Sequence, residues 1–393
     1  MGQARPIQFG VSVATVAAVT GVAALILAVW AEAGPRLAVA GLVGVLAGVA
    51  LYHSAFGFTA GWRRYIRERR GAGLRMQLVL VGATAMIAMP LIAYGDAFGV
   101  RAGGFIFPFG VAVIIGSFMF GFGMQLGGGC GSGTLFTVGG GSTRMLITLA
   151  FFITGGVLAT YHWDFWQALP KVGAFSVAWT PLGPIGGVAL TVAVLGGLFL
   201  VLRRSEARRH GGLEPPRAMG SLVRGPWSLA LGAAALTAVG VLTLIVLGRP
   251  WGITSGLTLW GAQIAHGAGV PIEEWGYWRN AMDQVEASVF QSGTSVMNLG
   301  LIGGAALAAC LAGRFAPTLR LSARDVMTAV IGGLLMGYGA RIAFGCNIGA
   351  LLSGIASGSL HGWVWFLFAF LGSIIGVRVR ALIGMDPQAA PAH

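Results

Sequence analysis

The polar residues of this chain fall into short clusters, and the segments between them are apolar enough and long enough to cross a membrane. Stretches at 10–30, 36–60, 76–94, 104–123, 144–161, 182–202, 227–247, 290–311, 325–340 and 361–380 each read as a membrane-spanning helix, because about 20 apolar residues rising 1.5 Å each cross a hydrocarbon core of ~30 Å. The first stretch is long and has no convincing cleavage site, so it reads as a span and not as a signal peptide. Three stretches interrupt the pattern: 125–142, 251–267 and 342–358 are short and rich in Gly, Ser and Thr. Backbone that leaves helical geometry at membrane depth must be buried in protein or line a polar cavity, since lipid satisfies no amide. These three are therefore expected to be broken or re-entrant helices.

Composition strengthens this reading. Only 9% of the residues are charged and 56% are hydrophobic, against about a quarter charged in an ordinary soluble domain. The net charge of +13 does not point to nucleic acid, because the arginines sit in short clusters at 63–75, 203–224, 314–324 and 378–380. That placement marks cytoplasmic loops under the positive-inside rule. With Arg5 inside, both termini are expected in the cytoplasm. The stretch 270–289, carrying Glu273, Glu274, Asp283 and Glu286, is expected outside. The chain then divides into an N-terminal transmembrane half (1–202), a basic cytoplasmic linker (203–226) and a C-terminal transmembrane half (227–393). An all-α, polytopic protein of the cell inner (plasma) membrane is expected, embedded in lipid.

Two of the interruptions share a sequence. The first reads Gly121-Phe-Gly-Met-Gln-Leu-Gly-Gly-Gly-Cys130-Gly-Ser-Gly-Thr134, the second Gly337-Tyr-Gly-Ala-Arg-Ile-Ala-Phe-Gly-Cys346-Asn-Ile-Gly-Ala350. Gly121, Gly123, Gly129, Cys130 and Gly133 match Gly337, Gly339, Gly345, Cys346 and Gly349 without a gap. On the predicted topology one copy dips in from the cytoplasm and the other from outside. Such an inverted repeat is the usual ground plan of a transporter with its site between the halves.

The chemistry at the breaks suits a small anion. Cys130 lies among glycines that let backbone approach a ligand, and its thiol is soft and polarizable. Ser132 and Thr134 supply harder hydroxyl donors beside it. In the second copy Asn347 offers an amide next to Cys346, and Arg341 brings a permanent charge to one mouth, or pairs with a carboxylate or carbonyl within the protein. Gln125 takes the place of Arg341 in the first copy. Thr254 and Ser255, in the third interruption, either cap a helix start after Pro250 or line the chamber. Trp251, Trp260, Trp275 and Trp278 read as interfacial anchors, and Cys310 as a packing residue. There is no C-x-x-C, nucleotide loop or nucleophile triad, so no enzyme, no catalytic residue and no cofactor is expected. Two cysteines without a neighbouring His or acid fall short of a metal site. The residues alone leave open a sulfur-containing anion, another small inorganic solute (selenium species, sulfite, sulfide or a soft metal) and a membrane sulfur relay.

At these residues the chain resembles the YeeE/YedE family of membrane proteins. The resemblance rests on Gly121–Gly133 with Cys130, on Gly248-Arg-Pro-Trp-Gly-Ile-Thr-Ser-Gly256, and on Gly337–Gly349 followed by Gly358-Ser-Leu-His-Gly-Trp363. It implies an hourglass-like inverted-repeat fold with short broken helices near the midplane. It also implies uptake of thiosulfate handed along by cysteines, and in some cases a TusA-like sulfur-carrier protein at the cytoplasmic face. Cys130 and Cys346 match two of the family's path cysteines. A third belongs to a segment resembling His53-Ser-Ala-Phe-Gly-Phe-Thr-Ala-Gly-Trp-Arg-Arg64, where this chain has no cysteine and Phe56, Phe58 or Thr59 occupies the region.

Overall fold

The computed structural model describes residues 12–317 and 320–385; Arg5, the start of the first expected span and residues 386–393 lie outside them. The apolar runs fold as helices: α1 (Val13–Ser54), α2 (Phe58–Glu68), α3 (Ala72–Tyr94), α4 (Val111–Gly127), α5 (Gly131–Gly139), α6 (Thr143–Tyr161) and α7 (Trp163–Ala168) precede α8 (Gly183–His210). The second half holds α9 (Leu229–Leu247), α10 (Ile253–Gly267), α11 (Met282–Glu286), α12 (Gly293–Leu311), α13 (Ala323–Ile342), a π-helix (Asn347–Gly354) and α14 (Leu360–Leu382). Among the described residues nine helical stretches are long and apolar enough to cross a membrane. The chain is a multi-pass membrane protein. The first stretch contains two of the expected spans, because α1 is broken at Gly34 (φ 82°) just before Pro35. Its limbs fold back on each other there, and a Cβ at Gly41 would stand 2.8 Å from the Ile26 side chain.

Small residues let the helix backbones touch, which is how helices associate where lipid gives no hydrophobic drive. On α1 and α12, Gly44 meets the Met297 carbonyl, Gly48 that of Leu301, and Gly304 that of Val45. Around the repeat the contacts come in matched pairs. A Cβ at Gly121 would collide with the Ala369 carbonyl of α14, and one at Gly337 with the Phe152 carbonyl of α6. Gly123 lies against Gly332, Leu335 and Met336; Gly339 lies against Gly116, Met119 and Phe120. Helices α4 and α13 thus face each other, and each packs on the long helix that follows the other's break, α4 on α14 and α13 on α6.

Arginines collect at one end of the bundle, where Arg324 donates to the Gly384 carbonyl (2.7 Å) and Arg380 to that of Gln125 (2.8 Å). At this basic end Glu206, buried on α8, accepts from the N–H groups of Gly71 and Glu214 and pairs with Arg75. It fastens the 203–226 stretch onto the α2–α3 turn. That stretch begins inside α8, which stays helical to His210. A cleft of about 730 Å³ opens here, lined by Phe56, Arg64, Arg75, Gln77, Glu214 and Arg217 among others. The opposite end carries the loop 268–292, α7 and a two-residue antiparallel pairing of Phe109–Gly110 with Lys171–Val172.

Candidate functional site

The two Gly–Cys segments meet in the interior. Helix α4 ends at Gly128 (φ 93°), a conformation open to glycine at no steric cost, and the chain reaches Cys130, which caps α5. Its Sγ accepts the Gly133 N–H at 3.4 Å and lies 3.5 Å from Ser132 Oγ. In the second copy α13 ends at Ile342, and Phe344 (φ 58°) and Gly345 (φ 149°) turn the chain into Cys346, which precedes the π-helix. The sulfur of Cys346 stands beside the first break: a Cβ at Gly131 would lie 3.1 Å from it. Cys130 is 1% exposed and Cys346 fully buried.

Several expected site residues in or next to the two breaks carry polar atoms that have no partner. Asn347, fully buried, uses neither its Nδ2 nor its Oδ1, and Thr134 leaves its Oγ1 unpaired. Gln125 donates from Nε2 to the Thr59 carbonyl (3.4 Å), but its Oε1 and Thr59 Oγ1 are buried without a partner. Buried polar atoms are almost always hydrogen-bonded, because an unmet one costs about 1–3 kcal/mol; a cluster of exceptions is the mark of a place that receives a ligand or water. Ser132, 1% exposed, also borders a small cavity of about 40 Å³ with Trp251, Ile348, Ser353 and Ser357. Among the described residues no group of three His, Cys, Asp or Glu side chains is placed to hold a metal ion.

The third interruption joins the same centre. The start of α10 abuts it, with the Ile253 side chain 3.6 Å from a Cβ at Gly131. Gly252 is the N-cap of α10, with no side-chain cap. Ser255 donates to the Gly252 carbonyl (2.6 Å), and Thr254 is buried in the first turn. Neither residue caps the helix. Trp251 and Trp278 are not interfacial anchors: both are buried, their indoles donating to Asn298 Oδ1 (3.2 Å) and Thr160 Oγ1 (3.0 Å). Arg341 is engaged away from the sulfurs, over the rings of Trp163 and Tyr277.

One further pair of segments carries a shared pattern that the Gly–Cys repeat overshadows. Phe56-Gly-Phe-Thr-Ala-Gly61 and Trp251-Gly-Ile-Thr-Ser-Gly256 begin α2 and α10, each with its glycine as N-cap. Each helix start is held by a carboxamide. Gln77 accepts from the Trp62 indole (2.8 Å) and donates to the Gly57 carbonyl (3.3 Å). Asn298 accepts from the Trp251 indole and donates to the Ile253 carbonyl (2.9 Å). The aromatic-Gly-apolar-Thr-small-Gly pattern is the signal by which α2 is found in the sequence. Phe56, Phe58 and Thr59, in the region of the absent third cysteine, are all buried.

A profile of the family described as sulphur transport matches residues 53–375, most of the chain and both breaks. The protein belongs to that family. It is 28% identical to the thiosulfate transporter TsuA of Spirochaeta thermophila over 84% of this chain and 95% of that protein. To TsuA of Escherichia coli (strain K12) it is 26% identical over 84% of this chain and 91% of that protein. To the probable transporter YedE of Escherichia coli (strain K12) it is 36% identical, over 38% of this chain and 37% of that protein. The chain thus spans little more than a third of the YedE length it matches and nearly the whole length of the TsuA proteins. The YedE protein is named a probable transporter and the two TsuA proteins thiosulfate transporters.

Proposed function

We propose that the protein carries thiosulfate or a closely related sulfur-containing anion into the cell, past Cys130 and Cys346. The observation that carries this reading is the sulfur of Cys346 set beside Gly131, one residue from Cys130, with the neighbouring Asn347 side chain and Thr134 Oγ1 buried without a partner. Polarizable thiols fit the terminal sulfur of such an anion, while amide and hydroxyl donors fit its oxygens. The near full-length match to proteins named thiosulfate transporters supports the same substrate class.

The architecture in this reading is an inverted repeat with an hourglass-like waist at the cysteines. The reciprocal contacts of Gly121 and Gly337, and of Gly123 and Gly339, support it. The halves divide at the 203–226 stretch. The basic end faces the cytoplasm of an inner-membrane protein whose termini are cytoplasmic, and its cleft is where a TusA-like sulfur carrier would collect the anion. A membrane-impermeant thiol reagent should therefore reach a Glu274→Cys variant from outside intact cells but not an Arg209→Cys variant; the reverse result reverses the orientation. Thr254 and Ser255 contribute through the start of α10, which forms one wall of the waist.

Function is tested by growth of a sulfur-source auxotroph on a panel of sulfur compounds with and without the gene. Growth restored on thiosulfate supports the reading. Growth restored only on selenium or metal-related solutes, or on none, refutes it.

A further inference from the structure

We propose that Arg341 is an oxyanion-capture site at the mouth opposite the basic loops, with Phe344 between it and Cys346 along the chain. The proposal rests on the cysteine path above but is argued from a different set of groups. Arg341 is the penultimate residue of α13. Its guanidinium carbon lies 4.9 Å from the Tyr277 ring centroid and 5.7 Å from that of Trp163. It donates one hydrogen bond, from Nη1 to Tyr277 Oη at 2.7 Å, and its Nε is buried without an acceptor.

No carboxylate neutralises this charge among the described residues. Asp164, next to Trp163, packs its carboxylate against Gly276, and Glu273 lies 3.8 Å from His266. Aromatic faces hold a guanidinium with about 0.5–2 kcal/mol each but leave its positive charge intact. A half-buried, unneutralised guanidinium whose Nε has no acceptor keeps the donors that oxyanions bind side-on. The matching position in the other break is the neutral Gln125. At the basic end Arg144 is occupied: it donates to the Leu126 and Gly127 carbonyls (2.8 and 3.0 Å) and to Thr328 Oγ1, and lies 3.8 Å from Asp325. At the break that ends at Cys346, by contrast, the Arg341 guanidinium makes one hydrogen bond, to a phenol.

Phe344 lies between Arg341 and Cys346 along the chain, at the reversal itself. A bulky residue with φ near 58° is uncommon and needs its surroundings to hold it. Its ring stacks on Phe107 (4.9 Å, 7° between planes) and meets Trp163 edge-on at 5.9 Å. Trp163 therefore touches both the capturing cation and the Phe344 ring. A guanidinium selects for charge and oxygen geometry and not for sulfur, so sulfate and thiosulfate should bind here alike, and discrimination falls to the thiols beyond.

The test uses radiolabelled sulfate, which reads capture without transport. Equilibrium binding to the full-length protein in nanodiscs should be saturable, should persist when both Cys130 and Cys346 are changed to Ser, and should weaken at least tenfold in Arg341→Gln. Arg341→Lys, which keeps the charge but not the fork, should fall between. In proteoliposomes, Arg341→Gln should raise the thiosulfate KM at least tenfold with the maximal rate within twofold, and sulfate should cease to compete. Wild-type sulfate binding in Arg341→Gln, or a lost maximal rate at unchanged KM, overturns the capture site and leaves the cysteine path standing. If Arg341→Gln does not reach the membrane, Arg341→Lys decides: unchanged sulfate affinity and KM overturn the proposal. A wild-type protein that binds sulfate but moves no thiosulfate sinks the transport reading and spares the capture site.

Discussion

The two Gly–Cys breaks have nearly the same backbone plan and different fillings. In both, a helix ends, a residue with positive φ reverses the chain, and a cysteine opens a short helix. At the first reversal stands Gly128, with the Arg144 guanidinium 2.7 Å from where its Cβ would be; at the second stands Phe344. The carbonyl before each reversal is held by the helix that follows, Gly127 by Arg144 and Ala343 by His361 Nε2 (3.1 Å). The frame is therefore duplicated while the charge is redistributed. At the basic end the cation is spent on backbone carbonyls. At the opposite end an imidazole does that task, and the cation, Arg341, lies over the rings of Trp163 and Tyr277. A duplicated frame sets where the short helices start, and its unequal fillings give the two mouths different chemistry.

The largest effect should come from breaking the shared frame. Gly121→Leu and Gly337→Leu each drive a side chain into a facing carbonyl and should cost about 4 kcal/mol or more, seen as loss of membrane-inserted protein and of a cooperative melt. Gly196→Leu on α8, with nothing within 4 Å of its Cβ position, should leave both unchanged. If Gly337→Leu were tolerated while Gly121→Leu was not, the two halves would not be packed as equivalents.

Next comes the difference in what holds the breaks. Arg144→Ala removes the donor to the Leu126 carbonyl and one of two donors to that of Gly127, where Thr148 still donates. With the Thr328 and Asp325 contacts also lost, it should destabilise by about 3 kcal/mol, whereas His361→Ala releases one carbonyl and two edge-on ring contacts, about 1–2 kcal/mol. Melting of the purified variants in one detergent checks the order. An equal or inverted order would mean that the buried His361 ring contributes more through its packing on Phe107 and Phe344 than Arg144 does through its hydrogen bonds.

The smallest effect is expected at the reversal. Phe344→Gly relieves a left-handed conformation worth about 1–2 kcal/mol and forfeits aromatic contacts worth about 0.5–1.5 kcal/mol, so stability should move by no more than ~1 kcal/mol. Removing an ordinary core phenylalanine costs about 3–5 kcal/mol. A loss of that size would show that the ring packs as ordinary core.

The spans and the breaks were legible because membrane burial demands long apolar runs and because glycine, cysteine and hydroxyl residues interrupt them. Other features were hidden for definite physical reasons. The expected span 36–60 in fact stops at Ser54, since Ala55 (φ 49°) turns the chain before α2; alanine gives no warning of a left-handed residue. Thr254 and Ser255 looked like caps, but Gly252 takes that place. Tryptophan suits an interface or a satisfied interior equally well, and only the positions of Asn298 and Thr160 reveal that Trp251 and Trp278 are inside. The cage around Arg341 joins α7, the 268–292 loop and α13, segments whose approach no local pattern encodes.

The most direct test of the account is uptake of labelled thiosulfate by proteoliposomes carrying single cysteine variants at matched protein content. Cys130→Ala and Cys346→Ala should each lower the initial rate by at least a hundredfold, with Cys130→Ser recovering little of it. Cys310→Ala, on α12 and away from both breaks, should transport like the wild type. Wild-type rates in Cys130→Ala or Cys346→Ala would contradict the account, because the anion would then be crossing without either thiol.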